Sequence, residues 1–184
     1  MPAAIPPKIF KSKLPFAILP VIMIAVYLLQ AGRLDVFTLL KYEIIAVFGY
    51  IAAVGDIKTK HVPNMLVLAM LAVWICVTAF HLLFDIHSAI PMIVNSMLGF
   101  AVSGTLFLIV YLLSRKGLGG GDVKFMPAAG LYLGGSGALT AILIGTTLAA
   151  LVGLALLIFK KIGRKDVFPL IPFLYAGILV AILF

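Results

Sequence analysis

The sequence predicts an all-α, polytopic membrane protein of about seven transmembrane helices, and three observations carry that prediction. The 184 residues are 64% hydrophobic and 11% charged, with a mean hydropathy of +1.26, whereas soluble domains are roughly 45–50% apolar and 25% charged. Six acidic and fourteen basic side chains are too few to coat a water-soluble globule of this length, so lipid must be the solvent. The apolar residues come in unbroken runs rather than the alternation of barrel strands, and backbone in lipid must satisfy itself, so the runs are helices.

Residues 1–13, with Pro2, Pro6 and Pro7 among Lys8, Lys11 and Lys13, read as a cytosolic tail. Lysines ahead of an apolar run resemble a signal peptide. No small-residue cleavage site follows, because Gln30, Ala31, Gly32 and Arg33 lead straight into the next hydrophobic stretch, so a retained first span is predicted over 14–31. A hydrocarbon core about 30 Å thick needs about 20 residues, and that rule sets further spans at 39–55, 64–84, 89–113, 136–159 and 167–184. Between the second and third, Val62-Pro63-Asn64 makes a tight hairpin: proline disfavours helix at Val62, and Asn64 is suited to cap the third span.

The short piece 122–133, set between glycine clusters, decides the topology. As a helix it reaches only about 18 Å, so it must be buried among its neighbours or the membrane must thin there. If it crosses, Lys8, Lys11, Lys13, Lys58, Lys60, Arg115, Lys116, Lys124, Lys160, Lys161, Arg164 and Lys165 fall on one side, leaving Arg33 and Lys41 near the other. The positive-inside rule then places the N-terminus in the cytosol and the C-terminus outside. With no internal repeat, low-complexity tract or long linker, residues 14–184 are predicted to form a single transmembrane domain.

The net charge of +8 does not indicate nucleic acid, because the bases sit in short runs between apolar stretches rather than on one face or arm. A single cysteine, Cys76, excludes an internal disulfide framework and a cysteine-based metal cluster. His61 without further ligands is a poor metal site, and neither metal nor cofactor is expected.

Two carboxylates fall at the cytosolic ends of spans: Asp56 closes the second and Asp122 opens the short one. Ionisable groups at membrane helices are costly and mark function by default. Two carboxylates that share a proton are what water-activated peptide cleavage needs, one as base toward water and one as acid toward the scissile carbonyl, titrating as a coupled unit. Gly117, Gly119, Gly120 and Gly121 before Asp122 allow positive φ and the close approach of another chain. Asp122 starts a helix, where the macrodipole favours negative charge, and Asp56 ends one, so Asp122 is expected to be the ionised base and Asp56 the protonated acid.

Gly119-Gly120-Gly121-Asp122-Val123-Lys124, together with Asp56 followed by Val62-Pro63-Asn64 and the later Ile171-Pro172-Phe173, resembles the GxGD pattern of type IV prepilin and archaeal preflagellin peptidases. The resemblance covers about residues 47–184. It implies an inner-membrane aspartyl endopeptidase that removes the basic leader of prepilin-like or preflagellin-like precursors at the cytosolic face, with Asp56 and Asp122 as the catalytic pair. Gly119, Gly120, Gly121, Lys124, Pro63 and Asn64 are then the candidate substrate contacts, and membrane lipid is the other partner. The larger bacterial members carry a zinc-binding insert with paired CxxC motifs and also N-methylate the new terminus. This chain has one cysteine and a short 32–38 linker, so no methyl transfer is expected and the compact form is similar to the small peptidases of tight-adherence pili or archaea.

Other readings weigh less. A small transporter relaying protons or cations through Asp56 and Asp122 needs acids across the whole membrane, and both lie on one side. A GxGD protease of the presenilin and signal-peptide-peptidase kind needs Tyr-Asp and Pro-Ala-Leu elements, whereas Gly55 precedes Asp56. Glu43, about 20 Å up the helix from Asp56, is expected near the outer interface beside Lys41. Asp85, His87 and Asp166 are expected in solvent, and Lys58, Lys60 and Lys124 at headgroups. Asn95 is expected in an interhelical hydrogen bond, and Gly130, Gly134, Gly135 and Gly137 in close helix packing.

Overall fold

A computed structural model describes residues 14–30, 32–114, 119–160 and 169–184. The tail 1–13 and Arg115, Lys116, Gly117, Lys161, Arg164, Lys165 and Asp166 lie outside the described residues. The described residues form helices and no β-strand: α1 (Leu14–Gln30), α2 (Val36–Thr59), α3 (Asn64–Phe84), α4 (Ile86–Leu113), α5 (Gly120–Ile158) and α6 (Ile171–Leu183). By length and apolarity α2, α3, α4 and α5 can each cross a membrane, with shorter apolar helices at Ile18–Gln30 and Ile171–Leu183.

Several boundaries extend beyond the apolar runs because caps set them. Asp35 Oδ2 accepts the Thr38 N–H at 2.9 Å, so α2 begins before the run it contains. Asp85 accepts the N–H groups of His87 and Ser88 at the start of α4. The last helix is shorter than predicted: it starts at Ile171 with Pro172 in its first turn, where a missing N–H is harmless.

The predicted short span and its successor are the two arms of one element. α5 is helical on both sides of Gly134, which alone departs, at φ 74° and ψ −179°. The arms run in different directions. Along 120–133, Pro127 faces Gly104 and Gly130 faces Gly99, so this arm is antiparallel to α4. Beyond Gly134, Gly145 faces Leu174 and Gly177 faces Ala141, so the second arm is antiparallel to α6. Since α6 opposes α2 through Ile171 on Asp56 and Tyr175 on Gly49, and α3 parallels the first arm through Lys124 on Asn64 and Trp74 on Leu131, the chain reverses at Gly134. Gly134 is therefore a turn as well as a packing position; that requires glycine, because this φ, ψ combination is closed to other residues.

The first arm is the centre of the bundle. Phe125, Met126, Ala129, Leu131 and Tyr132 are buried, the Trp74 indole donates to Leu131 O at 3.0 Å, and the Tyr132 hydroxyl donates to Met70 O. Trp74 thus anchors a mid-bundle contact rather than an interfacial belt. Asn95 makes the expected interhelical bond, accepting the Gly135 N–H at 3.0 Å, while Gly99 and Gly130 bring α4 and the first arm into backbone contact in the manner of small-residue membrane interfaces.

Candidate active site

Asp56 sits in the last turn of α2 and Asp122 in the first turn of α5; both are buried. α2 stops three residues after Asp56 because Lys60 turns left-handed (φ 52°, ψ 32°), its N–H closing on Asp56 O at 2.8 Å. Thr59 Oγ1 donates to Gly55 O at 2.9 Å and His61 O at 3.1 Å, tightening the turn. The chain then runs extended through Val62 and Pro63 into α3. The hairpin is as predicted, but its capping differs: Pro63 holds the N-cap position without a side-chain bond, and Asn64 Oδ1 accepts from Lys124 Nζ at 3.1 Å instead. Lys124 therefore faces the protein, not only the headgroups.

That contact is one of two joining the two aspartate segments. Val62, 3% exposed, packs beneath Gly121, where a Cβ would come within 3.0 Å of Val62 Cβ and 3.2 Å of its backbone N. From the other side, the Ile171 N–H donates to Asp56 Oδ2 at 3.1 Å, and the Leu170 backbone adds a second donor. Helix N-termini carry unsatisfied N–H groups and a partial positive charge, so Asp56 caps α6.

A second helix end thus bears on the expected dipole asymmetry. Asp56 does end α2, but its carboxylate lies on the N-terminus of α6, just as Asp122 lies at the N-terminus of α5, and helix dipoles favour the anionic form of both. The sequence shows no partner 115 residues away; the one hint was Pro172, a helix-start residue.

The glycines are used differently from the expectation. Among the described residues only Gly32 and Gly134 are glycines with positive φ; Gly119 is ordinary extended backbone, φ −64° and ψ 132°. What Gly119 supplies is room: a Cβ there would lie 2.9 Å from Asp122 Oδ2. Gly121 gives room to Val62, and Gly120 has no neighbour within 4 Å of an added Cβ. The pattern G-x-G-D thus has a local physical meaning, with the first glycine under the carboxylate, the third against the hairpin and the second open.

Asp56, Asp122, Lys60, His61, Val62 and the three glycines line one cavity of about 60 Å³, and the two carboxyl groups lie within each other's electrostatic reach. A water needs about 10–15 Å³ of such space, so the cavity takes a few waters. Chemically this is a pair of acids around a small polar space with an open glycine edge. His61 joins the lining, but among the described residues no three His, Cys, Asp or Glu side chains cluster as metal ligands.

Elsewhere, Asp85 is exposed and serves α4 as its cap. Lys41, expected near the outer side, is buried and donates from Nζ to Ser96 Oγ at 3.2 Å. Both oxygens of Glu43 are shielded and without a hydrogen-bond partner.

Residues 43–184 match the type IV leader peptidase family. The chain is 30% identical over 169 residues to a prepilin leader peptidase/N-methyltransferase of Burkholderia pseudomallei strain 1026b, covering 86% of this chain and 52% of that protein. It is 28% identical over 135 residues to the protein of the same name from Bacillus subtilis strain 168, covering 73% and 51%. The chain thus spans about half the length of these relatives. No solved structure matches it.

Proposed function

Because this chain belongs to the type IV leader peptidase family, we propose that it is an aspartyl endopeptidase that cuts the basic leader from prepilin-like precursors, with Asp56 and Asp122 as the catalytic pair. The observation that carries the proposal is the shared cavity: two acids from helices far apart in sequence meet around space for water. Like charges at short range favour a state with one proton between them. The ionised carboxylate takes a proton from water as its oxygen attacks the scissile carbonyl, and the protonated partner donates to the carbonyl oxygen. Collapse of the tetrahedral intermediate returns a proton to the leaving amine and restores the pair.

A precursor's leader junction lies extended beside Gly120, the open position, while Gly119 and Gly121 hold Asp122 and Val62 in place. The Lys124 to Asn64 bond and Pro63 fix the hairpin that forms the opposite wall. Unwinding of the junction is required, since a helical peptide bond is shielded by its own packing and the cavity is small.

The proposed topology is seven crossings of the inner membrane, with α5 contributing two through its reversal at Gly134. This puts the aspartates, Lys58, Lys60, Lys124 and Lys160 at the cytosolic end with the N-terminus, and the C-terminus outside. The test is reconstitution with a candidate precursor. The wild type should release one leader fragment by mass spectrometry, and Asp56→Asn and Asp122→Asn should each release none; full activity in both variants excludes the proposal.

A further inference from the structure

At the end of the bundle remote from the aspartates, α2, α4 and α5 line a second, open cavity of about 370 Å³. That volume lies in the range of small-molecule sites, about 300–1,000 Å³. The lining is part polar, with Thr38, Lys41, Tyr42 and Asn95, and part apolar, with Pro91, Met92 and Leu133.

The polar part holds a cation with too few partners. Lys41 is 4% exposed, and its Nζ turns inward to Ser96 Oγ rather than reaching out to water along its own stem. An ammonium has three donors, and Ser96 takes one. Among the described residues no carboxylate forms an ion pair with it: Asp35, whose charge reaches Lys41, is bonded to the Thr38 N–H, and Glu43 faces about 200° around the helix. A buried charge without a counter-charge is strongly unfavourable.

Depth indicates what supplies that charge. α2 has 24 residues, about 36 Å against a core of about 30 Å, so its ends stand among headgroups. Lys41 lies about 9 Å below the Asp35 cap, so with α2 centred in the core its Cα is about 5 Å inside the hydrocarbon, within a side-chain length of the headgroup layer, where phosphate is the abundant anion. We propose that this cavity binds a phosphate-bearing anion, the headgroup of an anionic phospholipid. Lys41 supplies the charge, Thr38 and Asn95 further polar contacts, and the apolar part packs against the first acyl carbons. The site is separate from the peptidase chemistry, about 22 Å along α2 from Asp56.

The full chain is purified and offered phosphatidylglycerol, phosphatidylcholine or inorganic phosphate, with bound lipid read by native mass spectrometry and stability by thermal melting. The wild type should retain phosphatidylglycerol at least about tenfold over phosphatidylcholine and melt higher in its presence. Lys41→Met should lose both effects, as should Met92→Trp, which fills the cavity from its apolar side and leaves the cation intact. Stabilisation by inorganic phosphate that Lys41→Met abolishes, without lipid preference, keeps the anion site and makes its ligand soluble. Wild-type protein that retains both lipids equally and ignores phosphate overturns the site, and so does undiminished phosphatidylglycerol preference in folded Lys41→Met and Met92→Trp.

Discussion

Asp122 Oδ2 occupies the space where a side chain on Gly119 would begin, 2.9 Å from such a Cβ. Gly119→Ala should therefore push the carboxylate aside while the bundle stays folded, lowering kcat about a hundredfold, the scale of a 1 Å misplacement in an active site. Gly120→Ala adds its methyl to open space, where the proposed substrate lies, and should raise KM with a smaller change in kcat. Steady-state kinetics on the two variants separates these effects; equal losses in kcat would contradict the distinct roles. The pair of aspartates and their flanking glycines and Pro-Asn were legible in the sequence because each motif is local. The reason for each glycine was not, since it depends on Val62 and on the side-chain position of Asp122. Nor was the bond from Ile171 to Asp56, which only the folded bundle brings together.

Among the elements, α5 differs most from its sequence pattern. Two apolar runs separated by glycines predict two spans, and the distribution of basic residues predicts that both cross; that a single glycine makes the turn was not legible. Gly134 lies where only glycine is unstrained, and an added Cβ would collide with the Asn95 amide. Gly134→Ala should destabilise the protein by more than about 1–3 kcal/mol, the usual cost of such backbone strain, read as a lower melting temperature in detergent. α2 offers a milder test at its other end. Burial opposes ionisation of Asp35, but hydrogen bonds from Thr38 outweigh it and hold the carboxyl below its ordinary value of 3.8. A depressed carboxyl contributes stability above its unfolded value and loses it as pH falls through the folded one. Asp35→Ala should cost about 1 kcal/mol at neutral pH, as N-caps do, and the difference from wild type should shrink below about pH 4 in melts compared across pH. Asn64 shows the limit of local signals: a good cap by residue type, it is taken by Lys124 from a helix 60 positions away.

For the molecule as a whole, composition and run length were sufficient to predict an all-helical membrane chain, because the bilayer imposes the same constraint on every span. They were blind to Lys41, which read as an orientation charge near the outer face. Its inward turn to Ser96 depends on how α2 and α4 pack, and packing geometry leaves no local trace. The proposed topology makes an independent expectation: a reporter at the C-terminus should be active outside the cytosol, and one in the 115–118 loop inside it, with the reverse pattern contradicting the seven-crossing arrangement. The central claim, that the two acids work as one unit on one water, is tested most directly by initial cleavage rates of four reconstituted proteins: wild type, Asp56→Asn, Asp122→Asn and the double variant. Residues that act as a unit are non-additive, so each single change should reduce the rate to background and the double should be no worse. A single variant that keeps substantial activity, with losses that multiply in the double, would show two independent groups and contradict a shared catalytic pair.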